Sequence, residues 1–445
     1  MIALPPQGAS PIAGGDTLLI AAGEYLIGVG APGSAGCRNA TAPQCLMAPV
    51  PGGPSAERPT RILGAGYDGK CTRPPRLWAN GGIGAILRLE DSSNVVVACL
   101  ELTDRSPCIV NHLHAAASRS GAVPCPTAAP FGPWGRNGVV ARDAGNVLLR
   151  DLNIHGFAAN GIRAGRLRDW TLQRVRLHAN GWAGWDGNLG NDDPKGSSNA
   201  GRMRFIGGEI SWNGCSERTP SGEIFGCWAQ QQGGYGDGLG TAKTGGTWMF
   251  EDIHVHHNTS DGLDLLYLDG SGSATFRGVR ASANAGNQLK TSGPVTIEDS
   301  TLDGSCAFFS RFAGSHLIDR DHCRAMGNTL SVSLGGNTLA TIRNNTLAGQ
   351  GDCLLVTVGG GTGAKVRVED NEFVGSEDWR AARSRKPELT CGHYAQDSQA
   401  TVSFESNVFW NVKHHQCPPG SECGSGPRTK SASGNRGAVP GRRNN

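Results

Sequence analysis

The chain predicts an all-β solenoid: one stack of short-stranded coils interrupted by long loop insertions. Three observations carry this. A weak repeat with a period in the twenties runs along most of the sequence, and its units read as short alternating strands with no helical pattern. Asn-Gly, Asp-Gly and Gly-Gly pairs punctuate the units, as tight corners require. Glycine supplies 67 of 445 residues and aromatics only 6%, which suits many corners around slim aliphatic stacks.

The elements follow in order. Residues 14–28 read as an opening strand pair, whereas 31–60 and 105–137 are Pro-, Gly- and Cys-rich loops. The repeat appears at Val147–Ile154 and again at Trp170–Leu177, 23 residues on. It returns at Met203–Ile210, Met249–Val255, Ala274–Val279, Val295–Leu302, Ala340–Leu347, Val366–Phe373 and Val402–Phe409. Residues 183–202 and 214–246 are expected as insertions between coils, and such insertions collect on one face. Asn160, Asn180, Asn213 and Asn328 recur at what look like equivalent corners, where asparagine tolerates the left-handed conformation. A solenoid grows along one axis, so the length does not demand several domains. The expected division is a solenoid over residues 1–416 and a Gly-, Pro-, Ser- and Arg-rich tail over 417–445.

Composition narrows the setting. A net charge of +3 gives no reason to expect a nucleic-acid partner, and no stretch approaches the roughly 20 apolar residues of a membrane span. The 14 cysteines include no Cys-x-x-Cys pair, which fits disulfides in an oxidising compartment better than metal thiolates. Near neighbours suggest Cys37 with Cys45, Cys108 with Cys125, Cys215 with Cys227 and Cys417 with Cys423. The expectation is a secreted or periplasmic monomer read without its signal peptide.

Four residues concentrate the chemistry. Asp237 lies in Tyr-Gly-Asp-Gly-Leu-Gly, and Asp261 and Asp264 in Ser-Asp-Gly-Leu-Asp-Leu, which starts about one repeat later. Lys290 lies in Gly-Asn-Gln-Leu-Lys-Thr-Ser-Gly, 26 residues beyond Asp264. Residues one coil apart stack about 4.8 Å from each other. Three carboxylates would then converge beside one amine, an arrangement that asks for a hard cation such as Ca2+ and leaves the amine as a base. Lysine is scarce here, 8 against 33 arginines, which makes its presence beside the carboxylates more telling.

Asp-Gly-Leu-Asp-Leu followed by Gly-Asn-Gln-Leu-Lys resembles polysaccharide lyase family 9, in which Asp-Gly-Phe-Asp-Leu precedes Gly-Asn-Gly-Phe-Lys. The resemblance spans roughly residues 230–295 and implies a right-handed parallel β-helix. It implies Asp261, Asp264 and Asp237 as Ca2+ ligands and Lys290 as the base that removes the C5 proton of a uronic acid. The substrate it implies is an acidic polysaccharide. Where that family usually has a second aspartate before Asp-Gly, this chain has Ser260.

Other residues are candidates of lesser weight. Trp182, Trp185, Trp228 and Tyr235 sit in or near the insertions and offer rings for stacking on sugars or for packing. Arg311, Arg320 and Arg324 follow Lys290 and suit bidentate binding of a carboxylate. His254 and His256 share one strand face, which suits either a transition metal or plain solvent exposure, and His257 adjoins them. Asp192, Asp193 and Lys195 read first as turn chemistry, and Lys243 is a rival base.

The leading expectation is a Ca2+-assisted polysaccharide lyase. A C5-epimerase begins with the same proton abstraction. A hydrolase would use the aspartates as acid and base without the lysine. A non-catalytic glycan-binding or adhesin solenoid would scatter the four residues over different faces.

Overall fold

The computed structural model describes Leu4, Ala31 and residues 10–28, 47–80, 83–104, 135–190, 195–218, 221–227, 236–305, 327–349, 353–376, 389–413 and 418–424. These residues form a right-handed parallel β-helix with no helical segment among them. Ten parallel strands make one face, in the order Ala85–Arg88, Asn137–Arg142, Asn160–Gly165, Ala183–Gly187, Leu239–Thr241, Leu263–Leu265, Leu289–Ser292, Leu330–Leu334, Cys353–Gly359 and Cys391–Gln396. The remaining coil strands form a twenty-stranded sheet that bends around the other faces. Thr17–Ile20 and Glu24–Gly28 open it, as the sequence predicts.

Inward positions align coil upon coil. One column runs Leu18, Ile62, Val97, Leu149, Leu172, Phe205, Phe250, Phe276, Ile297, Ile342, Val368 and Phe404. The stack is aliphatic at most levels, but Phe205, Phe250 and Phe276 lie face to face with centroids 4.8 and 4.9 Å apart. A fully buried phenylalanine contributes about 2 kcal/mol by area. A second aromatic stack, Phe373 on Phe409 with centroids 4.2 Å apart, closes the last coils.

The corners differ from the sequence expectation. None of Asn160, Asn180, Asn213 and Asn328 is left-handed; before Asn180 and Asn213 the left-handed residue stands one place earlier, at Ala179 and Trp212. This frees the asparagine side chain to turn inward. Asn180, Asn213, Asn258 and Asn284 then form a buried ladder, each Nδ2 donating to the next Oδ1 at 2.8–3.0 Å. A second ladder joins Asn345, Asn371 and Asn407 at another corner, again after left-handed residues. Asn160 belongs to neither ladder; its Nδ2 donates to Asn137 instead.

Three further expectations change. Ala183–Gly187 and Ala200–Ser211 are coil strands, so the insertion expected over 183–202 is confined to the residues between them. Leu239–Thr241 is likewise a coil strand, so the insertion expected over 214–246 ends before it; that insertion carries an antiparallel hairpin, Cys215–Arg218 with Glu223–Cys227, closed by the expected Cys215–Cys227 disulfide. The tail boundary also moves, because Ser421–Gly424 pairs in parallel with Asn407–Trp410 and extends the stack past residue 417. Cys71–Cys99 and Cys353–Cys391 are also bonded. The Cys37–Cys45, Cys108–Cys125 and Cys417–Cys423 pairs involve residues outside those described. Among the described residues, no helix is long and apolar enough to cross a membrane.

Candidate active site

The site grows out of strand alternation on the ten-stranded face. Leu263 and Leu265 point inward and are wholly buried, so Asp264 between them points out. Register then sets Lys290 beside it: Asp264 and Lys290 are directly paired residues on adjacent strands. The outward column reads Arg163, Asp186, Gly240, Asp264, Lys290 and Ser331. Asp237 and Asp261 come from the corner just before this face, at the Asp-Gly steps that lead into their strands. All four predicted residues therefore converge from three consecutive coils.

The contacts are direct. Lys290 Nζ donates to Asp264 Oδ2 at 2.9 Å and to Asp261 Oδ2 at 3.2 Å. Asp261 also has a structural task, because its Oδ1 accepts from the backbone N–H of Asn287 at 2.6 Å and from Asn287 Nδ2 at 2.8 Å. Asp237 Oδ1 accepts from the Asp261 N–H at 3.1 Å, and Asn287 Oδ1 from the Asn328 N–H at 2.8 Å. At this corner a side-chain oxygen satisfies the next coil's amide whether the residue is Asp or Asn. Only Asp adds charge, and it does so at the two coils that face Lys290.

Electrostatics explain the pairing. Burial, reinforced by the charges of Asp261 and Asp264, pushes the Asp237 carboxyl well above its usual range. Burial and the Asp261 charge push Asp264 up to about 6. Burial alone would lower the Lys290 amine, but Asp261 and Asp264 outweigh it and hold the amine above its ordinary value. The isolated cluster is thus short of positive charge, and Lys290 is held as an ammonium.

The donor set suits a hard cation. Carboxylate oxygens from Asp237, Asp261 and Asp264 are the ligands Ca2+ favours, whereas a transition metal would call for imidazole or thiolate. Gly240 leaves the space for one: a Cβ there would lie 2.7 Å from Asp237 Oδ2. Among the described residues, however, the three ligand atoms found within 4.8 Å of one another belong to His155, His178 and Glu217, on another face. A cation drawing the aspartates together would have to displace the Lys290 ammonium from Asp261 and Asp264.

A groove of about 810 Å³ covers the cluster. Lys243 and Tyr267 line it beside the aspartates, Arg136, Arg163, Trp182 and Asp186 at the coils before, and Asn287, Asn328 and Ser331 at the coils after. Burial and the neighbouring Arg163 lower the Arg136 guanidinium to about 10. Arg136, Arg163 and Asp186 escaped the sequence reading. Arg163 and Asp186 stand at the same outward position of successive coils, 23 residues apart like Val147 and Trp170, a signal the repeat spacing already carried.

The remaining candidates divide. Trp185 is corrected: it is 0% exposed and packed edge-on against Trp170 and Phe205, so it offers no face to a sugar. It pairs with Ile162 and Leu239, the inward residues of the adjacent strands, and so shares their inward phase. Trp182 lines the groove. Tyr235, Trp228, Asp192, Asp193, Arg311, Arg320 and Arg324 lie outside the described residues. His254 and His256 stack 4.2 Å apart on the outside of the twenty-stranded sheet, away from the groove. Lys195 is exposed in a turn.

Comparison with known proteins agrees with the fold. The family described as right handed beta helix region matches residues 237–409, the coils that carry the cluster. No curated protein matches the chain. Solved structures similar to it include the A-module of the mannuronan C-5 epimerase AlgE4 of Azotobacter vinelandii, at 12% identity and TM-score 0.39 over 87% of this chain and 88% of that one. The Streptococcus pneumoniae surface protein and adhesin PfbA is similar at 8% identity and TM-score 0.42, over 92% and 91%. Pectate lyase Pel9A is similar at 13% identity and TM-score 0.37, over 87% and 79%.

Proposed function

We propose that the protein is an extracellular polysaccharide lyase that cleaves a uronic-acid-containing glycan by β-elimination, with Lys290 as base and Asp237, Asp261 and Asp264 as ligands of a Ca2+ ion. The observation that carries this reading is the contact of Lys290 Nζ with both Asp261 and Asp264 beneath an open groove. The same contact, together with the motif resemblance, supports a place beside polysaccharide lyase family 9. Bound Ca2+ would neutralise the uronate carboxylate and make its neighbouring proton more acidic.

The chain's own residues supply the rest. Asp261 and Asp264 would hold the cation, and Lys290, relieved of the charges that hold its proton, would then serve as a neutral-amine base. It takes the C5 proton, the electron pair forms the double bond, and the glycosidic oxygen leaves with its bonding pair and takes a proton from water. The products are one unsaturated uronate end and one hydroxyl end. Arg163 and Lys243 in the groove suit a polyanionic chain laid along the coils.

The test is incubation with a panel of acidic polysaccharides, following ultraviolet absorbance of the unsaturated end alongside new reducing ends. Elimination raises both. Reducing ends without the absorbance would replace this reading by hydrolysis, and inversion of C5 without cleavage by epimerisation.

A further inference from the structure

A second cluster lies on the twenty-stranded sheet. His155 and His178 are paired residues on adjacent strands, their rings stacked with centroids 4.6 Å apart and 8° between planes. The disulfide-closed hairpin lays Glu217 over them. Its side chain is only 5% exposed, with Oε1 2.5 Å from His155 Nδ1 and Oε2 3.9 Å from His178 Nδ1. A Cβ at residue 156 would lie 2.8 Å from Glu217 Oε1, so the coil needs glycine where the hairpin docks.

The polar bookkeeping of this cluster does not close. His178 Nε2 lies 2.9 Å from Asn153 Oδ1. An amide oxygen only accepts, so Nε2 carries the hydrogen and Nδ1 presents a lone pair. That lone pair faces Glu217 Oε2, a buried carboxylate oxygen without a hydrogen-bond partner among the described residues. Two acceptors facing each other out of water are unfavourable unless a cation lies between them. The outer nitrogen of His155 is likewise held, with Nε2 3.1 Å from Glu101 Oε1. Imidazoles whose far N–H groups rest on a carboxylate and an amide oxygen are arranged as metal-binding histidines are.

We propose that His155 Nδ1, His178 Nδ1 and Glu217 bind a divalent transition metal of the Zn2+ class, which fastens the Cys215–Cys227 hairpin to the coils. Two imidazoles and one carboxylate match such a metal and not Ca2+. Coordination releases to solvent the proton that His155 Nδ1 holds against Glu217 Oε1, requires the stacked rings to tilt towards Glu217 and leaves a further position for water. The site is separate from the aspartate–lysine cluster and stands whether or not that cluster is a lyase centre.

The probe is zinc chloride titrated calorimetrically into chelator-stripped protein from which the chelator has been removed. The expected result is one saturable Zn2+ per chain, strongly weakened in Glu217→Gln and in His178→Gln, and weakened about tenfold in Asn153→Leu. Folding of each variant is checked by circular dichroism. As a measurement free of variants, Co2+ bound to the native chain should give the intense visible bands of low coordination with nitrogen ligands. The double variant His254→Gln, His256→Gln should keep the Zn2+. No saturable binding, or binding lost in that double variant and retained in Glu217→Gln, would overturn the proposal.

Discussion

Lys290 Nζ lies 2.9 Å from Asp264 Oδ2, its directly paired neighbour on the adjacent strand, and 3.2 Å from Asp261 Oδ2. One ammonium therefore occupies the place where two carboxylates could otherwise close on a metal ion. In the proposed reaction a cation would compete with the ammonium for the same oxygens, and that competition would convert a structural ion pair into a base.

Replacing the amine tests its role. Lys290→Ala should lower turnover on the order of 10³-fold, the usual contribution of a positioned base. It should also make the folded state depend more on Ca2+, because the carboxylates lose their resident counter-charge. Steady-state rates and calcium-dependent melting curves measure the two effects separately.

Asp261→Asn separates scaffold from chemistry. Asparagine occupies the same corner at Asn287 and Asn328, where its side chain serves the next coil's amide. The variant should melt within about 2 °C of the parent, roughly 2 kcal/mol or less for a chain of this size, yet lose calcium binding and activity. A variant that unfolds instead would show that the charge itself holds the corner.

Gly240→Ala probes the space above Asp237. The added methyl would lie 2.7 Å from Asp237 Oδ2. The backbone there is not left-handed, so the chain should fold and bind Ca2+ more weakly by calorimetry.

The buried asparagine ladder predicts a stability effect. Asn258 Oδ1 accepts from Asn213 Nδ2 at 2.8 Å, and its Nδ2 donates to Asn284 Oδ1 at 2.8 Å and to the Ile210 carbonyl. Asn258→Leu strands these groups out of water and should cost about 3 kcal/mol or more in denaturant unfolding.

Acid should weaken the fold through buried histidines. Burial lowers His393 to about 4, and burial together with His256 and His254 lowers His257 to about 4. Unfolded histidine titrates near 6.5, so the unfolded chain binds more protons between those values. Stability from these groups is therefore lost as pH falls from about 6.5 to 4. Asp264, raised to about 6, acts in the opposite sense, weakening the fold as pH rises from its ordinary value. His393→Gln isolates the histidine part: its stability should depend less steeply on pH across this window than the parent's.

Much of this was legible in the sequence. The alternation around Leu263-Asp-Leu265 and the repeat spacing place Asp264 outward and Lys290 beside it without any structure. The corners were misjudged because left-handed conformation and ladder membership fall on adjacent residues, and an asparagine suits either. Trp185 was misjudged because its place inside a presumed insertion hid the strand that turns it inward. Arg163–Asp186 and His155–His178 each lie 23 residues apart, the same spacing as Val147 and Trp170, so their pairing was legible in the repeat and was overlooked; only Glu217, carried over the coils by the inserted hairpin, escapes local spacing.

The most direct test of the central account is the ultraviolet signal of the unsaturated uronate product, followed with calcium, with chelator, and in Lys290→Ala. The account predicts a signal that needs calcium and disappears in the variant. Cleavage that proceeds equally in chelator, or undiminished without the Lys290 amine, would contradict it.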